Sequence, residues 1–228
     1  MQPILAIDRK YLQMNHKEDY HVHCNYNDHS APDLTVKNVV RQAETVGLQT
    51  LAFTEHVRKT SDWISSYLKD VESVDSSLRI IAGFEAKILR DGSIDCPDKY
   101  VSEHFVVASF HTVYNDKDIW LQALKQAIQN PDVNVIGHIA PEPSFTLDDD
   151  EVQSLASLIT ANEKVVELNA KYHRPPAEWI KVFKKNGVRF HLGSDAHSLQ
   201  EVGNFEKISD LIAIVDELAP QSPVTNRT

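Results

Sequence analysis

The sequence predicts a single α/β domain built on a parallel sheet, and three observations lead there. Short apolar runs alternate with amphipathic stretches from end to end, the pattern of repeated strand-helix units. No shift of composition and no low-complexity segment interrupts that alternation. The chain has 228 residues, 42% of them hydrophobic, which suffices for one large core.

The expected strands are Tyr20–His23, Thr50–Phe53, Arg79–Phe84, Phe105–Phe110, Val133–Ile136, Val165–Leu168 and Arg189–Leu192. They are brief and rich in Val, Ile and Phe, as buried parallel strands are. Helical patterns lie between and after them at Leu34–Val46, Asp62–Leu78, Asp118–Ile128, Asp148–Thr160, Ala177–Lys185 and Phe205–Leu218. Asp33, Asp118 and Asp148 stand where N-caps belong, and Gly47 and Gly187 where helices stop. Asp91-Gly92, between Ile88-Leu89 and Ile94, reads as a small hairpin excursion. The domain is expected over 17–218, with an N-terminal extension at 1–16 and a loose tail at 219–228 carrying Pro220 and Pro223.

Composition narrows the function. Net charge is −10, which repels a phosphate backbone, and Lys184-Lys185 is the longest basic cluster. Long nucleic acid is therefore not the expected partner; a small substrate is. No run approaches the roughly 18 apolar residues of a membrane span, and Asp8, Arg9 and Lys10 do not suit a secretory signal. Two distant cysteines, Cys24 and Cys96, form no disulfide framework, so a reducing cytoplasm is the expected location.

The telling number is 11 histidines, because most of them end strands. The first strand ends in His21-Val22-His23 and the second in Thr54-Glu55-His56. The third ends at Gly83-Phe84-Glu85, the fourth at His111, and the fifth at Gly137-His138. The sixth ends in Glu167-Leu168-Asn169, and the seventh in Gly193-Ser194-Asp195-Ala196-His197. In a closed parallel barrel these ends meet at one rim. His21 and His23 are two apart on a strand, so both face the same side and can grip one ion. Asp195 and His197 repeat that spacing, and His29 sits in a loop able to reach back over the rim. Alone, each has a plain alternative: a surface histidine, a solvated carboxylate at Glu85, a tight turn at Gly193-Ser194-Asp195. Together they are too regular for accident, and too numerous for one tetrahedral ion. His16, His104, His173 and His191 fall outside the pattern and read as structural or exposed. Cys24 points away from His23 and reads as packing.

These motifs, in order, resemble the PHP (polymerase and histidinol phosphatase) family across about Asp19 to His197. The stretch from Gly83-Phe84-Glu85 to Asp95 is similar to the PHP domain of family X DNA polymerases and to stand-alone phosphatases of that branch. The resemblance implies a distorted (β/α)7 TIM-like barrel holding three divalent ions, Zn, Mn or Fe. By that resemblance His21, His23, Glu85 and Asp195 would hold the first ion. Glu85 would share the second with His111 and His138, and His29, His56 and His197 would hold the third. Glu55 departs from the Asp common at its position; it flanks a ligand, so the expected change is in ligand support.

The activity implied is hydrolysis of a phosphate monoester by a metal-bridging hydroxide, with Glu85, Asp195 and His197 as the catalytic set. Asp195 or a metal-bound water is the candidate to hand a proton to the leaving group. Arg58, Arg174 and Lys171 are the candidate phosphate binders, since a phosphoryl group needs cationic partners. Two rival readings stay open: a 3′-5′ exonuclease acting on nucleic-acid ends, and an amidohydrolase-type metal hydrolase. Histidinol phosphate, nucleotide phosphates, phosphoprotein and nucleic-acid ends all remain candidate substrates.

Overall fold

The computed structural model describes residues 14–27, 29–141 and 144–217. The expected extension up to residue 13 and the tail 219–228 lie outside them. Every expected strand is present: β1 (Glu18–Val22), β2 (Thr50–Val57), β3 (Arg79–Lys87), β4 (Phe105–Ser109), β5 (Val135–Ile136), β6 (Val165–Asn169) and β7 (Arg189–Gly193). They pair in parallel in the order β1-β2-β3-β4-β5-β6-β7. The sheet curls until its two edges meet at the carboxyl ends. His23 N donates to Ala196 O at 3.1 Å, and Asp195 N donates to His21 O at 2.7 Å. Buried Asp19 clasps the same seam, accepting from Ser194 N at 3.0 Å and Gly203 N at 2.9 Å. The result is the expected seven-stranded α/β barrel, closed along part of one seam.

Helices α1 (Val36–Thr45), α2 (Ile64–Ser73), α3 (Asp98–Val101), α4 (Lys117–Gln129), α5 (Asp149–Ala161), α6 (Ala177–Lys185) and α7 (Ser209–Glu217) surround the strands. Their apolar faces and the outward residues of the sheet, such as Phe53, Phe84 and Val106, make one core with Trp120, Leu155 and Phe183. Inside the barrel, Ala52, Phe105, Val107, Val135 and Val165 form an apolar floor with Tyr20 and Ile81. The polar strand ends stand above that floor.

Several boundaries differ from the sequence reading. Asp33 is not an N-cap; Thr35 is, its hydroxyl accepting from Asn38 N, while Asp33 sits in the turn before it. At α4 the cap is Asp116, which accepts from Asp118 N and Ile119 N, so Asp118 lies in the first turn. Asp148 caps α5 as expected, in a reciprocal capping box with Glu151. Helix α2 ends at Ser73 because Val74 turns extended, and Ser76 Oγ accepts from Leu78 N at 3.1 Å. The stretch from Phe205 begins as a 3₁₀ turn over Glu206–Ile208 before α7. Gly47 and Gly187 do end helices, with φ of 80° and 75°. The hairpin excursion is real: Ile88 and Ile94 pair antiparallel, around Gly92 at φ 81°.

Candidate metal centre

Side chains alternate along a strand, so each strand that starts in the apolar floor ends in the polar rim. From Ile81, β3 steps through Gly83 to Glu85; from Phe105 and Val107, β4 leads to His111; from Val165, β6 leads to Glu167 and Asn169. Glu85, 1% exposed, stands at the middle. Its Oε1 lies 2.9 Å from His111 Nε2 and 3.0 Å from His138 Nε2. Its Oε2 lies 2.8 Å from His56 Nδ1, 3.4 Å from His21 Nε2 and 3.5 Å from His23 Nε2. One carboxylate thus faces imidazoles with both oxygens. Asp195 Oδ1 adds a second anion, 3.3 Å from His23 Nε2 and 3.4 Å from His197 Nδ1.

The nitrogens point inward for a stated reason. His21 Nδ1 lies 2.6 Å from Glu167 Oε1. That carboxylate holds a proton on Nδ1, which turns the Nε2 lone pair toward Glu85 and His23. His197 Nδ1 likewise lies 2.9 Å from the Asp195 carbonyl oxygen, leaving Nε2 for the cavity. Behind His23, Glu55 Oε1 is 3.4 Å from Nδ1. Glu55 also accepts from Cys24 N at 3.0 Å, Cys24 Sγ at 3.1 Å and His56 N at 2.9 Å, and from the Asn27 side-chain amide. The residue that departs from the family's pattern therefore supports the His23 ring from behind. Cys24 packs in the core and in addition donates to that support.

Electrostatics match a cation site. Burial alone would raise the Glu85 carboxyl, but the imidazoles of His111, His21 and His56 pull it well below the usual range. Asp195 behaves alike: burial is outweighed by His21 and His23. Burial lowers His56, and it brings His197 down to about 4, so both present neutral lone pairs. At His21 and His23 burial is overcome by the surrounding carboxylates, and both pKa values rise, His23 to about 9. Positive charge is demanded there, from a proton or a metal.

Three groups, each with ligand atoms within 4.8 Å of one another, can be drawn: His21 with His23 and Asp195; His56 with Glu85 and His111; and His23 with His56 and His197. Two details fit these residues to metal ions. His21 Nε2 and His23 Nε2 stand 3.2 Å apart, a repulsive contact for two lone pairs unless a cation lies between. Buried Glu85 Oε2 meets three imidazole nitrogens, at 2.8 Å from His56 and 3.4–3.5 Å from His21 and His23, a set of lone pairs and one anion that a shared cation would satisfy. His138 joins Glu85 Oε1. His29 stands outside the three groups, exposed and edge-on to His56 at 6.1 Å between ring centres.

Sequence reasoning assigned no role to Glu167 and Asn169. Glu167 fixes His21 and accepts from His138 N at 2.8 Å. Asn169 donates to Asp195 Oδ2 at 3.1 Å and accepts from Tyr172 N at 2.8 Å. Their inward parity on β6 was the available signal. Gly193 makes room for Glu167: a Cβ there would lie 1.9 Å from Glu167 Oε1. His138 and Asp195 themselves hold φ of 26° and 53°, backbone seldom found outside glycine and often at functional sites.

The centre opens into a cavity of about 1260 Å³, lined also by Arg58, Lys87, Lys171 and Arg174. Lys171 Nζ lies 3.4 Å from Asp195 Oδ1. The histidines read as structural find other partners: His16 with Asp216 at 3.1 Å, His173 with Asp210 at 2.9 Å, His104 with the Tyr100 carbonyl at 2.9 Å, and His191 stacked on Tyr20.

A "Probable phosphatase" of Acetivibrio thermocellus is 30% identical over 214 residues, covering 87% of this chain and 86% of that one. A second probable phosphatase, from Clostridium acetobutylicum, is 28% identical over 89% of this chain and 88% of its own. The Bacillus subtilis DNA polymerase/3′-5′ exonuclease PolX is 25% identical over 81% of this chain but only 35% of the polymerase. A solved Listeria monocytogenes structure bearing the name histidinol phosphatase hisK superposes with a TM-score of 0.65, covering 82% of this chain and 97% of that one. At 16% identity that likeness speaks for the fold alone. The PHP domain model matches residues 19–189, from the Asp19 clasp to β7, and the chain therefore belongs to the PHP domain family.

Proposed function

We propose that this chain is a metal-dependent phosphatase that hydrolyses phosphate monoesters of small molecules at a three-ion centre. The observation that carries the reading is Glu85, a buried carboxylate flanked on both oxygens by imidazoles at the head of a cation-lined cavity. The relatives named as phosphatases over almost their whole length support the same class.

Glu85, His21, His23, Asp195, His111 and His138 would hold two ions. His56 and His197 would hold a third, with His23 or His29 beside them. Bound divalent ions supply Lewis acidity and lower the pKa of water. The protein's own groups do the rest. Glu85 stays anionic among the imidazoles around it, and Glu55 and Glu167 keep His23 and His21 in register. Arg58, Arg174 and Lys171 bind the phosphoryl oxygens and absorb charge that develops on them. Asp195, held as a carboxylate by His21 and His23, would orient the attacking water, and a water in the open cavity would protonate the leaving-group oxygen.

The test is turnover of a simple aryl phosphate with Mn or Zn supplied, against amide, lactone and single-stranded DNA substrates. Hydrolysis of the monoester with amides and lactones left intact is the expected result. Arg58→Ala or Arg174→Ala should then chiefly raise KM, because ground-state anion binding is lost. The PolX relative makes DNA the informative competitor. Rapid strand degradation with no phosphatase activity would move the chain to the exonuclease reading.

A further inference from the structure

We propose that Trp63 and Tyr26 form an aromatic subsite for the leaving group, so that the site selects phosphate monoesters whose alcohol carries a flat aromatic ring. The proposal rests on the phosphatase reading above and names the substrate class for the same cavity. Both rings line that cavity together with His56, Glu85 and Asp195. Its volume of about 1260 Å³ exceeds what a phosphoryl group fills and leaves room for a bulky alcohol. The candidate metal ligands and the cations serve the phosphate, to which two aromatic rings offer nothing. What they do offer is a packing surface for another ring.

This wall is built before any ligand arrives. Tyr67 stands behind it, fully buried, its hydroxyl donating between the carbonyl oxygens of Gly83 and Phe53 at 2.8 Å and 3.0 Å. The Tyr67 ring meets Trp63 and Tyr26 edge-on, each at 5.7 Å between centres. Trp63 and Tyr26 lie 5.7 Å from each other, and the Tyr26 hydroxyl donates to Asp70 Oδ2 at 2.7 Å. The loop leading to Trp63 is pinned as well. Ser61 N donates to Arg58 O at 2.9 Å, and Lys59 N donates to Asp95 Oδ1 at 2.8 Å. Rings held in this way lose little freedom when a ligand packs on them, and both keep part of their surface exposed. Tyr172, an exposed ring on the same cavity, is engaged already, 4.7 Å from the His138 ring and 5.4 Å from Lys171 Nζ. The leaving group's ring therefore belongs with Trp63 and Tyr26.

Phenethyl phosphate and cyclohexylethyl phosphate, esters alike in size and in leaving-group acidity, test this on the full chain with Mn or Zn supplied. Wild type should favour the phenethyl ester about tenfold in kcat/KM. Trp63→Leu should abolish that preference, chiefly by raising KM for the phenethyl ester, whereas Trp63→Phe should keep most of it. Tyr26→Leu gives the same readout if Trp63→Leu fails to fold. Tyr172→Leu should preserve the preference. No preference in wild type, one that survives both Trp63→Leu and Tyr26→Leu, or one lost only in Tyr172→Leu overturns this proposal and leaves the phosphatase reading standing. Hydrolysis of neither ester overturns both.

Discussion

Replacing His191 with Phe should make the protein more tolerant of acid. His191 is buried in the barrel, stacked on Tyr20 at 4.8 Å and near Phe105 at 6.4 Å, and its Nε2 has no hydrogen-bond partner among the described residues. Burial holds its pKa down to about 4, from 6.5 in the open chain. Between these values the unfolded chain takes up a proton that the fold refuses, so stability falls as pH falls. The full difference corresponds to about 3.4 kcal/mol once pH is well below both values. At pH 5 roughly 2 kcal/mol of it is lost, equivalent to about 4–8 °C in Tm for a chain of this size. Phe keeps the ring among Tyr20 and Phe105 but cannot titrate. Denaturant titrations of wild type and His191→Phe at pH 8 and pH 5 provide the assay. Any constant packing difference, and any ion loss common to both, cancels in the change between the two pH values. Wild type should lose about 2 kcal/mol more than the variant over that interval. Parallel losses would show that His191 is not held neutral and would refute the reasoning.

Two further substitutions probe the centre. Glu85→Gln keeps shape and removes the charge that faces five imidazoles; elemental analysis should find fewer ions, and kcat should fall more than ~10²-fold. Gly193→Ala drives a Cβ into Glu167, so it should release the His21 ring, lower metal content, and destabilise by roughly 1–3 kcal/mol in a thermal melt. A protein with normal Tm and full metal content would show that the Glu167–His21 contact is dispensable.

The barrel and its rim were legible because two periods agree. Strand residues alternate, and the imidazoles and carboxylates recur one strand-helix unit apart, so topology alone brings Glu85, His111 and Asp195 together. What escaped was set by contacts across the fold. Asp33 and Asp118 look like caps as well as Thr35 and Asp116 do, and only the path of the entering chain decides between them. Glu167 reads as one more acidic strand residue until Gly193 is seen to leave space for it. Asn169 carries no charge to mark it, yet it links Asp195 to the loop of Lys171 and Tyr172. His29 lies in a loop with no strand parity to aim it, and it stands at the edge of the site beside His56.

Anomalous diffraction from a crystal grown with Mn or Zn, collected at the metal's absorption edge, measures the centre most directly. Two peaks are expected beside Glu85 and a third near His56 and His197. An absence of peaks among these side chains, or a lone ion that does not touch Glu85, would contradict that arrangement.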